Sequence, residues 1–211
     1  MLTFHEIKDV SHNDFKEAME IYIDSFPPSE RHPVRVIEKR ARDKLFKMFV
    51  GKLETKVVFM ALLYPLKNTR YILLDYMATL KDFRNKGIGE KFMKILYKEL
   101  ENNNSCDFII FEVENPAYGD NREDKERRIE FYKRAGAKNL KDVRYVLPPL
   151  SGDVATEMML MVLPKSCKKT IDGNTIKEVV IQIYRELYNR DRTDVLLRSF
   201  INQITSDVEL I

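Results

Sequence analysis

The pattern of apolar and polar positions is clearest between residues 71 and 101. Residues 71–80 are apolar on both faces except for Asp75, a pattern typical of a strand in the centre of a sheet. Residues 88–100 then place apolar side chains at spacings of three and four, which predicts an amphipathic helix. A short basic segment with two glycines joins the two elements. The pattern therefore predicts a buried strand, a tight loop and a helix, with Asp75 as an unexpected charge in the strand.

The rest of the first 165 residues predicts short strands and helices in mixed order. A first helix is expected after Ser11 and ends at Phe26, because two prolines follow, and a second helix begins at Pro33. A later helix ends at Gly136. The predicted strands are 3–10, 46–52, 56–64, 71–80, 107–114, 140–147 and 156–163. The order is β α α β β β α β α β β, with a parallel, right-handed crossover between strands 71–80 and 107–114.

The composition changes after residue 165, and two further amphipathic helices are predicted. Thr175 and Glu178 have the spacing of a capping box for the first, and the second is predicted over 193–205. We therefore divide the chain into a domain of residues 1–165 and a C-terminal helical extension of residues 166–211. The apolar stripes of the extension have two possible partners. They either pack on the domain itself or pair with a second copy of the chain, which would form a homodimer.

Composition and charge exclude several classes of protein. Of the 211 residues, 44% are hydrophobic and 33% are charged, which is typical of a folded globular protein. A net charge of +3 from evenly mixed residues does not indicate a nucleic-acid partner, and Cys106 and Cys167 match no metal or disulfide spacing. The longest apolar run, residues 57–64, is too short for a membrane span, and the chain opens without an apolar leader. We therefore expect a cytoplasmic protein with no membrane partner.

Residues 84–89, Arg-Asn-Lys-Gly-Ile-Gly, form what we call the glycine loop. Two glycines at the start of a helix let the backbone turn tightly and direct unpaired N–H groups outward, at the positive end of the helix dipole. Arg84 and Lys86 add side-chain cations at the same place. The loop therefore predicts a phosphate or pyrophosphate site, and the alternative is a tight turn without a ligand. It matches neither the P-loop nor the dinucleotide fingerprint.

The strand, the glycine loop and the helix together resemble the acyl-coenzyme A loop of the GNAT superfamily of N-acetyltransferases, whose signature is Arg/Gln-x-x-Gly-x-Gly/Ala. Residues 131–137, Phe-Tyr-Lys-Arg-Ala-Gly-Ala, resemble a second family motif, Phe-Tyr-x-x-x-Gly-Phe, with Ala137 in place of the last aromatic. Two motifs in this order are more specific than either alone, and the resemblance covers residues 1–165. It implies an α/β fold in which helices flank a central, splayed, mostly antiparallel sheet of about seven strands.

The resemblance also implies a reaction and a donor. A GNAT enzyme moves an acetyl group from acetyl-coenzyme A to a primary amine, here a small molecule or a peptide, by direct attack in a ternary complex. Tyr132 resembles the acid that returns a proton to the leaving thiolate; its alternative role is packing on its helix. A backbone N–H near Met77 or Ala78 is expected to bind the thioester oxygen. The residues expected at the cofactor are Met77, Ala78, Thr79, Arg84, Asn85, Lys86, Gly87, Ile88, Gly89, Asn115 and Tyr132.

A base beside the acceptor amine is also required, and Asp75 is the first candidate. A carboxylate in an apolar strand loses solvation, which raises its pKa towards the range useful at neutral pH. In some GNAT enzymes the base is a Glu two positions earlier, where this chain has Leu73 on the same face of the strand. Glu112 and Glu114 on the next strand, and Glu30 on the loop before the second helix, could hold the charge of the amine. Each carboxylate has a structural alternative, namely a hydrogen bond or an ion pair.

Two other functions stay open from the sequence. The chain could bind acyl-coenzyme A without catalysis, as a sensor or interaction module that signals through its C-terminal helices. The glycine loop could also bind a different nucleotide or anion. The acceptor itself is not predicted, because the loops that shape its pocket have no conformation that one sequence determines.

Overall fold

The computed structural model describes residues 1–102, 104 and 106–211. The strands in these ranges are β1 (Leu2–Ile7), β2 (Lys47–Leu53), β3 (Lys56–Pro65), β4 (Tyr71–Thr79), β5 (Phe108–Glu114), β6 (Lys138–Asn139), β7 (Tyr145–Leu147), β8 (Thr156–Pro164), β9 (Thr170–Asp172) and β10 (Asp207–Glu209). The α-helices are α1 (Asn13–Ser25), α2 (Val34–Arg42), α3 (Ile88–Asn102), α4 (Arg122–Arg134), α5 (Gly173–Tyr188) and α6 (Val195–Ile201). Two 3₁₀ turns cover Pro28–Glu30 and Lys81–Phe83.

One large mixed sheet organises these elements. Its order is β1-β2-β3-β4-β5-β8-β6, with β7 also paired to β8, while β9 and β10 form a small separate sheet. Neighbouring strands of the large sheet are antiparallel except for β4 and β5, which are parallel and are connected through α3. The predicted fold, a mostly antiparallel sheet flanked by helices with one parallel crossover, is confirmed.

Helices cover both faces of this sheet and form two hydrophobic cores. On one face α1, α2, α5 and α6 bury residues such as Phe15, Ile37 and Ile183. On the other face α3 and α4 bury residues such as Phe92 and Ile129. Strand β3 is buried on both faces over residues 57–64, as its continuous apolar run predicts. Within the described ranges no helix has both the length and the apolar character needed to cross a bilayer.

The two central strands separate halfway along their length. β4 pairs with β5 only over residues 71–74 and 108–111, although both strands continue beyond these residues. A β-bulge lies at the same point on the other edge of β4, because Leu63 pairs with Leu74 and Leu62 pairs with Tyr76. Asp75 is therefore the extra residue of the bulge. We call the space between residues 75–79 and 112–114 the strand gap.

The C-terminal extension packs on the domain. Helix α5 buries Ile176, Val180 and Ile183 in the core that α1 and α2 also fill. Gly173, at the start of α5, lies where a Cβ atom would be 1.7 Å from the carbonyl oxygen of Thr205, so a larger residue would displace the backbone. These apolar side chains are therefore already buried within one chain.

One predicted strand is not continuous. The sequence predicts a single strand over residues 140–147, whereas the chain forms β6 at Lys138–Asn139 and β7 at Tyr145–Leu147. Asp142 lies between them with a φ of 58°, which breaks the extended conformation. The apolar residues in this stretch predicted a strand but could not indicate the intervening turn.

Replacing Ile183 tests the packing of α5 on the sheet. Ile183 is 0% exposed, so Ile183→Ala should lower the free energy of unfolding by about 2–5 kcal/mol, measured by urea denaturation. Val195 on α6 is a suitable control because it is 83% exposed, and Val195→Ala should change stability by less than about 0.5 kcal/mol. Equal stability of the two variants would contradict the packing of α5 described here.

Candidate active site

The strand gap opens into a cavity of ≈ 760 Å³. The main lining residues lie on β4, on the glycine loop, on the start of α3 and on α4. Among the residues predicted for the site, this lining includes Asp75, Met77, Ala78, Thr79, Arg84, Asn85, Gly87, Ile88, Gly89, Glu112 and Tyr132. The structure thus brings together positions up to 57 residues apart in the chain, Asp75 and Tyr132, around one space.

The glycine loop presents a row of unsatisfied donors. The carbonyl of Gly87 accepts the first bond of α3 from the N–H of Lys91, at 3.0 Å. Across the described part of the chain, the backbone N–H groups of residues 85–90 have no hydrogen-bond acceptor. Gly87 has a φ of 71°, with nothing within 4 Å of the position of a Cβ atom. Free N–H groups and the helix dipole make this end of the cavity suitable for an anion such as a phosphate.

Helix α4 contributes cations that the sequence pattern did not single out. Arg127, Phe131 and Arg134 all line the cavity, and their spacings of four and three place them on one face of α4. A Cβ atom on Gly89 would lie 3.3 Å from the ring of Phe131, so a glycine lets α4 approach the start of α3 closely. The spacing of the two arginines was a visible signal. Its meaning depended on knowing that α4 faces the glycine loop.

The two predicted loop cations have different partners. The Arg84 Nε atom donates to the carbonyl of Thr79, at 3.2 Å, which ties the glycine loop to the end of β4. The Lys86 Nζ atom lies 4.7 Å from the centre of the Phe83 ring, a cation–π contact, and Lys86 is not among the lining residues. Arg84 therefore supports the shape of the loop as well as its charge.

The free edge of β4 forms the middle of the site. The N–H of Leu80 donates to the carbonyl of Val58, at 2.9 Å. Hydrogen-bonded pairs alternate along antiparallel strands, so Ala78 also bonds to β3, whereas the N–H groups of Met77 and Thr79 point into the strand gap. This register favours Met77 over Ala78 as a main-chain donor to a bound group. An extended ligand could pair with this edge as another strand would.

Tyr132 lines the same cavity from α4. Its side chain is 9% exposed, and its ring packs 4.8 Å from that of Phe111 and 5.2 Å from that of Phe131. Burial raises the pKa of Tyr132 to about 12, against the opposing effect of Arg128. The phenol is therefore protonated at neutral pH and can donate a proton. The same contacts are also those of a packing residue, so both predicted roles are compatible with its position.

Two carboxylates meet where β4 and β5 separate. Asp75 and Glu112 both line the cavity, one residue beyond the last paired positions of their strands. Burial, and to a lesser extent the charge of Glu112, raise the pKa of Asp75 to about 8, and Arg40 opposes this shift. In the described ranges the Asp75 carboxylate has no hydrogen-bond partner. An unpartnered carboxylate with a pKa near neutrality has the properties of a general base.

Glu112 has the opposite surroundings. Both of its oxygens accept hydrogen bonds from the Tyr188 hydroxyl, at 2.8 Å each, and Oε1 also accepts from the Tyr145 hydroxyl. Burial raises the pKa of Glu112, and the bonds from Tyr145 and Tyr188 counteract this shift. The sequence did not predict either tyrosine as a site residue. Tyr188 lies in the C-terminal extension, outside the residues that the family motifs cover.

Glu30 and Asn115 lie outside the lining of the cavity. Glu30 ends the 3₁₀ turn after α1, where the Tyr76 hydroxyl donates to its carbonyl at 3.2 Å. Burial raises the pKa of the Glu30 carboxyl, and the charge of Glu114 adds to the shift. The Asn115 side chain accepts a bond from the N–H of Ala117, at 3.0 Å, and so shapes the loop after β5. Tyr76 thus fixes the loop that carries Glu30 against the sheet.

A glycine loop opening a helix, beside a gap between two parallel central strands, is the architecture of an enzyme that holds a phosphate-bearing donor in an extended groove. The model of the acetyltransferase (GNAT) family matches residues 15–137, more than half of the chain. The protein therefore belongs to the GNAT acetyltransferase family. The predicted family and the predicted acyltransferase activity are confirmed.

Solved structures share this fold. A protein described as a GNAT-family acetyltransferase from Bacteroides thetaiotaomicron matches with a TM-score of 0.74 and 22% identity over 90% of this chain and 99% of that chain. The ribosomal-protein-S18-alanine N-acetyltransferase from Escherichia coli matches with a TM-score of 0.60 and 18% identity, over 80% and 96%. A GNAT acetyltransferase from Elizabethkingia anophelis with acetyl-CoA bound has a TM-score of 0.53 and 14% identity, over 77% and 97%. None of the curated proteins compared with this sequence matches it.

Proposed function

We propose that this protein is an N-acetyltransferase that moves an acetyl group from acetyl-coenzyme A directly to a primary amine while both substrates are bound. The observation that supports this function most strongly is the strand gap. It joins a set of backbone donors, free within the described ranges, at one end to a pair of half-buried carboxylates at the other. A donor with a diphosphate and an extended arm would place its diphosphate at the end with the backbone donors. An acceptor that arrives as a cation would bind at the end with the carboxylates.

The glycine loop fits the diphosphate of coenzyme A. Within the described ranges the N–H groups of residues 85–90 have no acceptors, Gly87 leaves open space above the backbone, and Arg127 and Arg134 line the cavity as well. The donor supplies an acetyl thioester, and the free edge of β4 would hold its arm. The N–H of Met77 points to the side where the thioester oxygen would lie, so we assign it the role of stabilising negative charge on that oxygen.

The acceptor end of the cavity suits a protonated amine. An amine of the lysine type has a pKa of about 10.4, so presenting it uncharged at pH 7 costs ~4.6 kcal/mol. Asp75 is placed in this proposal as the group that takes the proton, and Glu112 as a charge that attracts the ammonium. Tyr132 returns a proton to the sulfur as it leaves. No covalent link to the protein is needed, because holding both reactants in position accelerates the direct reaction between them.

This chemistry identifies the acceptor as a primary amine, carried by a small molecule or by a peptide. The Escherichia coli neighbour acts on an alanine of ribosomal protein S18 according to its description, which makes peptide amines a reasonable first set of acceptors to assay. The cytoplasmic location predicted from the sequence is part of the proposal. The two free cysteines are compatible with it.

Gly87→Asp tests the glycine loop. The new carboxylate would repel the diphosphate and fill the open space, so binding of acetyl-coenzyme A, measured by calorimetry, should weaken at least ~100-fold. Gly152→Asp is a matched control, because Gly152 has a similar φ of 72°, equally open surroundings and no part in the cavity lining. Its affinity should equal that of the unaltered protein. Unchanged affinity in the Gly87 variant would contradict the proposed donor site.

Tyr132→Phe separates catalysis from binding. The variant should bind acetyl-coenzyme A normally and release thiol at least about tenfold more slowly, because the proton donor is lost. Tyr97→Phe serves as the control, since Tyr97 packs on the same core but lies outside the cavity lining. Equal turnover of the two variants would remove Tyr132 from the mechanism. Donor binding without turnover of any amine would favour a non-catalytic sensor instead.

A further inference from the structure

The C-terminal extension contacts Glu112, a lining residue of the cavity, through one side chain. Tyr188 is the last residue of α5, and its hydroxyl lies 2.8 Å from both oxygens of Glu112. The Arg40 Nη2 atom donates to the carbonyl of Leu187, at 2.6 Å, and the His32 ring stacks on the Tyr188 ring at 6.1 Å. These contacts hold the end of α5 against α2 and the loop before it, so the Tyr188 hydroxyl has a defined position.

The hydrogen bonds around Glu112 favour its charged form. Two phenols, Tyr145 and Tyr188, donate to it, and an ionised carboxylate can accept all of these bonds. A protonated Glu112 would carry a hydrogen that competes with those donors. Hydrogen bonds to the charged form of a buried acid lower the cost of keeping it ionised. Its lone pairs are largely occupied, so Glu112 is poorly placed to accept a proton from a substrate.

Asp75 has the complementary properties. It is the extra residue of the bulge, it lines the cavity, and the described residues offer its carboxylate no hydrogen bond. Its lone pairs are free. The titratable and charged groups that act on it come from β3, β4, β5, α1, α2 and α5, and they are Tyr64, Tyr76, Glu112, Tyr22, Arg40 and Tyr188. The tyrosines are neutral at pH 7, so Glu112 and Arg40 supply the nearby charges.

We propose that Tyr188, together with Tyr145, holds Glu112 as a fixed anion and thereby makes Asp75, rather than Glu112, the group that accepts the proton of the acceptor ammonium. Tyr188 is a positioning residue in this scheme, because it acts through Glu112. The assignment deepens the proposed function and rests on it for its catalytic meaning. It also gives the C-terminal extension a part in the active site in addition to its part in the core.

The proton balance of this step is simple. The ammonium nitrogen gives one proton to an oxygen of Asp75 and keeps the electron pair of that N–H bond, with which it attacks the thioester carbon. The carbon–sulfur bond then breaks with its electron pair on sulfur, Tyr132 gives its proton to that thiolate, and the remaining extra proton of the amide nitrogen returns to Tyr132. A protonated Asp75 cannot accept this proton. Because its pKa is raised to about 8, the rate should fall as the pH falls through that value. Without the charge of Glu112 the same loss of rate would occur at a lower pH.

The test is a carboxyl titration that does not depend on activity. The carboxyl carbons of aspartate and glutamate are labelled with ¹³C, the Asp75 signal is assigned by its absence in Asp75→Asn, and its pH titration is followed by NMR. In Tyr188→Phe, Glu112 loses the bonds from Tyr188, so it becomes the more basic of the two carboxyls and binds the proton that Asp75 binds in the unaltered protein. Asp75 should then titrate at least about one pH unit lower than in the unaltered protein.

Tyr184→Phe is the matched control. Tyr184 lies one turn earlier on α5 and is 0% exposed, but its hydroxyl donates to the carbonyl of Val146 instead of to Glu112. This variant should leave the titration of Asp75 unchanged. An unchanged titration in Tyr188→Phe overturns the proposal. An equal fall in both tyrosine variants also overturns it, because the effect would then come from a loosened core.

Two further measurements keep the outcome decisive. If Tyr188→Phe fails to fold by circular dichroism, Glu112→Gln replaces it, and an Asp75 titration that stays at its original pH in that variant overturns the proposal. Where acetyl transfer is detected, the acid limb of the rate against pH should move down by the same amount as the NMR titration. A protein that transfers no acetyl group but shows the NMR shift would contradict the proposed function while supporting the arrangement of charges.

Discussion

The end of hydrogen bonding between β4 and β5 is the constraint on which the rest of the site depends. Parallel strands in the middle of a sheet normally satisfy their main-chain groups along their full length, and here the pairing stops at Leu74 and Phe111. The bulge at Asp75 lies at the same point and turns β4 away from its neighbour. The main-chain donors beyond it face a cavity, and such unpaired groups are destabilising unless water or a ligand satisfies them. The strand gap is therefore an interruption in the hydrogen bonding of the sheet and, in the proposed function, the groove that holds the donor.

The same separation explains the electrostatics of the site. Asp75 and Glu112 lie side by side where the two strands separate, and burial raises the pKa of both carboxyls. The two carboxylates differ in their hydrogen bonds. Glu112 receives hydrogen bonds from two tyrosines, whereas the Asp75 carboxylate has no such bond in the described ranges. Different surroundings give two carboxyls of the same kind different pKa values. In general, one carboxyl of such a pair then stays charged while the other binds and releases a proton.

The end of the cavity at the glycine loop depends on local structure more than the end with the two carboxylates does. Gly87 adopts a left-handed φ, and the helix that follows leaves its first N–H groups free, both of which are properties of a short stretch of chain. For this reason the glycine loop, the strand before it and the helix after it could be predicted from residues 71–101. The central strand, its parallel neighbour and the order of elements followed from apolar periodicity in the same way. The turn that interrupts residues 140–147 could not be predicted in this way, because the pattern of apolar residues does not indicate the φ of Asp142.

The sequence by itself determined the family and most of the helices and strands of residues 1–165, because each depends on residues close together in the chain. It also singled out Asp75, since a charge in an apolar strand is visible without a structure. Only the tertiary structure decided what surrounds that charge. The bulge at Asp75, the two phenols on Glu112 and the arginines of α4 all result from pairings between distant segments. Periodicity indicates which face of a segment is buried, but not which other segment it meets, and the character of each carboxylate is set by that partner.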